Sequence, residues 1–115
     1  MDIQELTKRI VNFRDQRDWK KFHNPKDLAL SLVLEAVEVM EHFQWKSPEE
    51  MQRHIVEKKN EVSDELADVL YWVLLMSNDL DIDLKEALQR KLKKNEEKYP
   101  IDKAKGKHTK YTELK

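Results

Sequence analysis

The sequence contains few of the residues that interrupt helices or cross-link chains. Its 115 residues include no cysteine, one glycine and three prolines. Without cysteine there are no disulfides, which is typical of a reducing compartment, so a cytoplasmic location is expected. The scarcity of glycine and proline, together with abundant Leu, Glu and Lys, predicts an all-α fold.

The chain also lacks a strong charge bias and a long apolar run. The formal net charge is −1, so no overall field draws the chain to a nucleic acid polymer or a membrane surface. The longest wholly apolar run, Val69–Met76, is too short to span a bilayer. The first ten residues show neither the basic nor the apolar region of a secretory signal. We therefore expect no nucleic acid polymer and no membrane as partners.

The local signals predict a helical bundle of about four to five helices. The length suits one domain, which we place at residues 1–100, followed by a polar, lysine-rich tail at residues 101–115. Capping residues and prolines mark the helix starts. The predicted helices run from Asp2 to about Gln16, from Asn24 to about Gln44, from about 48 to 56, from about Glu57 to Leu80, and from Asp83 to just before Pro100.

The segment Leu28–Trp45 is too apolar for an ordinary surface helix. Its only acids before residue 41 are Glu35 and Glu38, whose spacing places them on one face. A helix that is apolar on nearly all sides is expected to be buried, and a buried carboxylate needs a compensating partner. The segment therefore predicts a positive group beside Glu35 and Glu38.

A second apolar helix repeats this arrangement. Glu61, Glu65 and Asp68 precede or interrupt its apolar run and fall within about 60° of one another at the helical period. If the two helices face each other, their acids form a four-carboxylate cage, and hard oxygen ligands of this kind suit Mg²⁺ or Mn²⁺. The alternative is that these acids lie at the rim of the bundle and pair with lysines.

Three kinds of site place carboxylates inside helical proteins. A di-iron bundle needs Glu-x-x-His pairs, and no histidine here follows a glutamate by three residues. A purely structural network and a Mg²⁺ site for phosphate chemistry remain, and the latter needs cations and a surface for a base. Lys91 and Lys98 lie near one face of the last helix. Aromatic rings able to stack on a base occur in a loop and at helix ends, namely Trp19, Phe22, His23 and Trp45.

The acids also match a known signature. Glu35-x-x-Glu38, then 26 residues, then Glu65-x-x-Asp68 resembles the ExxE…ExxD pattern of the MazG-like, all-α nucleoside triphosphate pyrophosphohydrolases. The segments FRDQRDWKKFHNP, LVLEAVEVMEHFQWK, ELADVL and KYPIDKAKGKHTKYTELK resemble the dCTP pyrophosphatase group within that family, over nearly the whole chain.

This resemblance implies an enzyme that needs Mg²⁺, with Mn²⁺ as the alternative cation, and that clears nucleotide pools by splitting a dNTP into dNMP and pyrophosphate. The implied substrates are dCTP and 5-substituted dCTP. The implied metal ligands are Glu35, Glu38, Glu65 and Asp68, and Glu35 or Glu38 is implied to orient the attacking water. The implied substrate-binding residues are Trp19, Lys20, Lys21, Phe22, His23, Trp45, Trp72, Lys91, Asn95 and Tyr99. Members of the family usually carry tyrosine where this chain has Trp72.

Two apolar helices offer more apolar surface than one short helix and one amphipathic helix can cover. We therefore expect a homo-oligomer, and the family resemblance implies a tetramer built from two dimers. The alternative function is a non-catalytic helical interaction module whose apolar faces bind partner chains.

Overall fold

The computed structural model describes residues 1–114, so the last residue of the predicted tail, Lys115, lies outside it. Within this range the chain is helical and contains no strand, which confirms the all-α class. No helix in the described range has the length and apolar character needed to cross a membrane. The helices are α1 (Ile3–Gln16), α2 (Pro25–Glu41), α3 (Pro48–Glu57), α4 (Lys59–Asp79), α5 (Leu84–Lys98) and α6 (Ile101–Ala104), with 3-10 turns at Lys20–Phe22 and Tyr111–Glu113.

Side-chain caps determine where four of these helices begin. Asp2, Asn24, Ser47 and Asp83 each accept a hydrogen bond from the backbone N–H three residues further on. At Ser47 the bond is reciprocal, because the Ser47 N–H donates to the Glu50 carboxylate at 3.1 Å. These starts agree with the positions predicted from the sequence.

The end of α2 differs from the sequence prediction, whereas α3 ends within one residue of it. α2 ends at Glu41 rather than near Gln44. The chain tightens there, since the Phe43 N–H donates to the Met40 carbonyl at 3.0 Å, a spacing of three residues. Beyond this turn, Trp45 has a positive φ of 66°, which no helix can continue. α3 and α4 are separate helices that meet at Lys58, the cap of both.

The chain divides into two compact units, Met1–Asp81 and Ile82–Lys115. In the first unit α4 is the central helix: it packs mainly along α2 and also contacts α1 and α3. Leu28, Leu74 and Leu75 are fully buried, and each buried leucine stabilises the fold by roughly 1.5–3 kcal/mol. The packing of α2 on α4 brings together the two helices that carry the acidic residues.

The expectation that α2 is buried on nearly every side is wrong for the single chain. Leu30, Val33 and Leu34 are 54%, 56% and 57% exposed, and Leu66 on α4 is 55% exposed. The physical reason is that α2 packs chiefly on one neighbour, α4, which covers one side of a helix that is apolar on several. An apolar surface therefore remains uncovered on both helices.

The second unit contains α5, α6 and the closing 3-10 turn. The Tyr99 ring packs edge-on against Tyr111, with ring centroids 6.1 Å apart. The Lys98 ammonium lies 4.6 Å from the centre of the Tyr111 ring, an attractive cation–π contact. The predicted boundary between residues 100 and 101 falls inside this unit.

Candidate functional site

Four carboxylates from two helices converge in the first unit. Glu35 and Glu38 lie on α2, and Glu65 and Asp68 lie on α4. One oxygen from each lies within 4.8 Å of the other three. The structure thus brings together the four residues of the signature. Glu61, which shares their helical phase, is not among them, and its carboxylate lies 3.8 Å from the Lys58 ammonium.

The four carboxylates repel one another. Burial raises the pKa of Glu35, and Glu38 raises it further. The close carboxyl of Glu38 is the main cause that raises the pKa of Glu65, followed by burial. Two carboxyl groups can share a hydrogen bond only if one holds a proton, so without a cation the cluster favours proton uptake.

The cluster has no basic partner of the kind the rim alternative requires. Within residues 1–114, no lysine or arginine forms an ion pair with any of the four acids, and the nearest basic group is His42, whose Nε2 lies 3.8 Å from Glu65 Oε1. The Oε2 atoms of Glu35 and Glu65 are buried without a hydrogen-bond partner. Buried anionic oxygens without partners are costly. A set of hard oxygen donors with these two orphaned atoms fits a divalent cation such as Mg²⁺ or Mn²⁺.

A histidine pair adjoins this cluster. His42 Nδ1 and His54 Nε2 are 2.8 Å apart, so one ring donates and the other accepts, and at least one is neutral. Burial lowers the pKa of His54, and Lys46 and His42 lower it further. The sequence analysis did not identify this pair. It joins His54 on α3 to His42, whose other ring nitrogen faces Glu65.

An aromatic cleft of about 580 Å³ adjoins the carboxylates, a size typical of small-molecule sites. Phe13 packs edge-on against Trp19 and Tyr71, with ring centroids at 5.7 and 6.4 Å, and Tyr71 packs against Trp72 at 5.0 Å. Aromatic rings and two of the clustered acids therefore share one cleft. It is lined by Leu6, Arg9, Ile10, Phe13, Trp19, Glu35, Asp68, Tyr71 and Trp72.

The loop after α1 places Trp19 in this cleft. Asp18 has a positive φ of 54°, a conformation that aspartate adopts more readily than most residues. The Trp19 N–H then donates to the Arg14 carbonyl at 3.2 Å. His23 packs edge-on against Trp72, with centroids 5.6 Å apart. The remaining predicted loop residues, Lys20, Lys21 and Phe22, are exposed in the 3-10 turn.

Several predicted substrate-binding residues are not part of this cleft. Trp45 is 92% exposed, holds a positive φ and is absent from the lining. Lys91 and Asn95 lie on α5 and Tyr99 caps it, all in the second unit. Their roles in binding stay predictions.

The sequence analysis missed a buried ion pair between α1 and α4. Arg14 Nη1 lies 2.6 Å from Asp79 Oδ2 and Nη2 lies 3.0 Å from Oδ1, and Arg14 is only 1% exposed. The Arg14 hydrogen bond holds the pKa of Asp79 below its usual range. A signal that Arg14 is buried was present, because Leu6, Ile10 and Arg14 recur every four residues. A charge on a buried stripe requires a buried counter-charge.

Replacing Glu35 with glutamine is expected to stabilise the metal-free protein, and the gain should grow as pH rises above 4.5. The raised pKa of Glu35 means that the folded state keeps a proton where the unfolded state has lost it. The stability from this proton is present below pH 4.5, the ordinary value, and is lost as pH rises through the raised pKa. Glutamine carries no charge at any pH. Urea unfolding of both proteins in EDTA across this range measures the difference, and a difference that stays constant with pH would contradict the prediction.

Fold and site together define a class: all-α proteins in which two facing helices present four carboxylates beside an aromatic cleft. The sequence model of the MazG-like family matches residues 30–114. The chain belongs to the MazG-like family, which confirms the resemblance drawn from the acidic signature.

Individual relatives agree with this assignment. Over 114 residues the chain is 33% identical to dCTP pyrophosphatase 1 of Mus musculus and to that of Homo sapiens, covering 97% of this chain and 67% of each relative. A solved structure, a pyrophosphatase from Archaeoglobus fulgidus, superposes with a TM-score of 0.80 at 43% identity, covering 84% of this chain and 91% of that one. The predicted MazG-like fold is therefore confirmed.

Proposed function

We propose that this chain is a Mg²⁺-dependent nucleotide pyrophosphohydrolase that splits a dNTP into dNMP and pyrophosphate, with dCTP and 5-substituted dCTP preferred. The observation that carries the proposal is the convergence of four carboxylate oxygens within 4.8 Å, two of whose side chains hold a buried oxygen without a partner. The relatives named dCTP pyrophosphatase 1 and the archaeal pyrophosphatase support it.

In this proposal Glu35, Glu38, Glu65 and Asp68 hold the cation. Bound Mg²⁺, or Mn²⁺ in its place, supplies neutralisation of the triphosphate charge and activation of water. Glu35 belongs both to the carboxylate cluster and to the cleft lining. We assign it the role of accepting a hydrogen bond from the water that attacks the α-phosphorus, with Glu38 beside it.

The aromatic cleft binds the base in this proposal. Trp19 and Trp72 line it, and stacking on such rings is worth roughly 1–3 kcal/mol per base but tolerates every base. Choosing cytosine therefore needs polar groups that match its ring edge, because an unmatched buried polar group is costly. His23 and the backbone of the loop from Trp19 to His23 are the proposed readers, and Trp45 is proposed to contribute a further ring.

Contacts to the substrate phosphates are proposed for the predicted binding residues of α5 and of the 3-10 turn at Lys20–Phe22. Lys91, Asn95 and Tyr99 recur every four residues and so share one side of α5 and its cap. Lys20 and Lys21 offer two more ammonium groups in the 3-10 turn. With these assignments, residues 1–100 form the proposed catalytic domain and residues 101–115 the tail, and the cytoplasmic location stays a prediction.

The uncovered apolar surface of α2 and α4 favours the second candidate, a non-catalytic interaction module. That function leaves the four-carboxylate cluster without a purpose. Thermal melting with Mg²⁺ and a non-hydrolysable dNTP analogue separates the two, because a specific ligand raises the melting temperature by mass action. If the chain is a hydrolase, these ligands raise its melting temperature. If it is an interaction module, the melting temperature does not change.

Base selectivity is expected when pyrophosphate release is measured from each of the four dNTPs and from CTP. Every triphosphate offers the same phosphates, so a difference in kcat/KM must come from the base and sugar. We expect dCTP to be cleaved fastest. We expect CTP to be disfavoured, because in this proposal an aromatic ring of the cleft packs against the sugar and leaves no room for the 2′-hydroxyl. Equal rates for all five would contradict the cytosine assignment while leaving the hydrolase intact.

The protein is expected to be a homo-oligomer, and we propose a tetramer built from two dimers. The support for this proposal is the exposed strip of Leu30, Val33 and Leu34 on α2, together with the exposed Leu66 on α4, because monomeric proteins rarely expose large apolar patches. Light scattering after gel filtration measures the mass. Leu34→Glu, which places a charge in this strip, should shift the protein towards monomer. A stable wild-type monomer at micromolar concentration would contradict the prediction.

A further inference from the structure

One buried residue holds the loop that carries Trp19 and His23. The Arg14 carbonyl accepts the Trp19 N–H at 3.2 Å. The Arg14 guanidinium lies 3.5 Å from the Nδ1 atom of His23 and is clamped by Asp79 at 2.6 and 3.0 Å. Because Asp79 belongs to α4, Arg14 ties both ends of the loop to the helix that carries Trp72.

The contact between Arg14 and His23 has a consequence for the imidazole proton. A guanidinium keeps its protons at any pH at which the protein is folded, so its nitrogens can only donate. Nη1 carries two hydrogens, of which one serves Asp79 Oδ2 and the other is available to His23. The Nδ1 atom must therefore accept with its lone pair, and in the neutral ring the proton lies on Nε2.

The surroundings of His23 agree with a neutral ring. Burial lowers the pKa of His23, and the charge of Arg14 lowers it further. Within the described residues the His23 ring makes a single hydrogen-bond contact, with Arg14 at Nδ1. Its Nε2 atom therefore makes none. The ring also packs edge-on against Trp72, which lines the cleft. His23 thus has a donor at Nε2 that bonds no described residue, on a ring that contacts Trp72 in the wall of the aromatic cleft.

We propose that Arg14, clamped by Asp79, is a positioning residue that fixes His23 as the Nε2–H tautomer, so that His23 offers a hydrogen-bond donor to an acceptor on the base, such as a ring carbonyl. The identity of the ligand rests on the proposed function, whereas the tautomer does not. Arg14 and Asp79 touch neither substrate nor cation in this account and act through His23.

The tautomer can be read without substrate. Two-bond proton–nitrogen NMR spectra at a pH of about 7.5, where an ordinary imidazole is mostly neutral, distinguish the Nε2–H from the Nδ1–H form. The His23 signals are assigned by their loss in His23→Gln. We expect the Nε2–H pattern for His23 in the wild type and a mixture of tautomers in the double variant Arg14→Met/Asp79→Leu. An Nδ1–H pattern or a mixture in the wild type would overturn the proposal.

Kinetics supply the second test. The double variant replaces the buried pair with apolar side chains and so leaves no orphaned charge, which makes folding the expected outcome. It should raise KM for dCTP by about 3- to 10-fold while kcat stays within about 2-fold, the pattern of lost ground-state binding. A fall in kcat with KM unchanged would overturn the proposal, because it places the effect at the carboxylates. If the variant does not fold, the wild-type spectrum decides.

Two further variants test the direction of the hydrogen bond. His23→Gln places an amide N–H near the Nε2 position, whereas His23→Asn places one near Nδ1, so the former should retain more affinity for dCTP. The control is Arg90→Met/Glu86→Leu, which removes an exposed pair with Nε and Oε1 3.3 Å apart and should leave KM unchanged. A protein with the Nε2–H pattern that cleaves no dNTP would refute the proposed function alone.

Discussion

Glu35→Gln is expected to lower kcat for dNTP hydrolysis by about 1,000-fold or more. The substitution removes one of four clustered anionic oxygens and the carboxylate that also lines the aromatic cleft. Glutamine is nearly isosteric but neutral, so it weakens the hold on a divalent cation without leaving a cavity. Pyrophosphate release at saturating Mg²⁺ and dCTP measures the loss. Glu38→Gln and Asp68→Asn should have effects of the same kind.

Glu61→Gln is the matched control for this prediction. Glu61 lies on α4 in the same helical phase as Glu65 and Asp68, yet it is outside the cluster and faces Lys58. Removing its charge should change kcat by less than about 2-fold, the effect expected of a solvated surface pair. Equal losses in Glu35→Gln and Glu61→Gln would show that general negative charge, rather than the cluster, supports the reaction.

Asp79→Ala is expected to lower the free energy of unfolding by about 3–5 kcal/mol, because it leaves the buried Arg14 charge without a partner. Arg14 is 1% exposed, so water cannot replace the lost carboxylate. Urea unfolding at neutral pH measures the loss. The double variant Arg14→Met/Asp79→Leu should recover most of it, since no charge is then stranded. A loss below about 1 kcal/mol for Asp79→Ala, the size of a surface pair, would contradict the buried-pair account.

The same pair predicts a dependence on acid. The pKa of Asp79 is held below its ordinary value of 3.8 by the Arg14 hydrogen bond. The stability from the charged pair is therefore present above pH 3.8 and is lost as pH falls through the lowered pKa. The double variant should lack this part of the acid sensitivity. The contribution of Asp79 to stability is lost as pH falls, whereas the contribution of Glu35 is lost as pH rises. One pH series therefore separates the two effects.

Local signals were sufficient to predict most of the helices. The caps at Asn24 and Ser47 lie where the side chains and the following prolines indicated. The i, i+3 spacing of acids on two apolar helices was sufficient to expect a cluster. Helical phase could not separate Glu61 from Glu65, because phase gives direction around a helix but not the height at which the facing helix presents its acids. The first turn of α4 places Glu61 beside Lys58 instead.

Long-range contacts were beyond the sequence. Arg14 and Asp79 are separated by 65 positions, and nothing local to either residue indicates the other. The cleft also includes Phe13 and Tyr71, which the sequence analysis did not single out. The positive φ of Trp45 follows from the tight end of α2 and not from a glycine or asparagine that a sequence would show. Side-chain pairing between distant segments sets these features, so they required the structure.

The carboxylate cluster also has a cost to stability. Burial and close acids raise the pKa of Glu35, which means that the charged cluster weakens the fold when no cation is present. Such local strain is common where function requires it, and stabilising substitutions at these positions tend to remove activity. The opposite signs expected for Glu35→Gln, higher stability and lower kcat, express this trade-off in one variant.

The most direct test of the central claim is phosphorus NMR of dCTP incubated with the protein and Mg²⁺ in oxygen-18-labelled water. The account predicts dCMP and pyrophosphate as the products, with the heavy oxygen in dCMP because water attacks the α-phosphorus, and no product when EDTA is in excess. Formation of dCDP and orthophosphate, or an undiminished rate in EDTA, would contradict it.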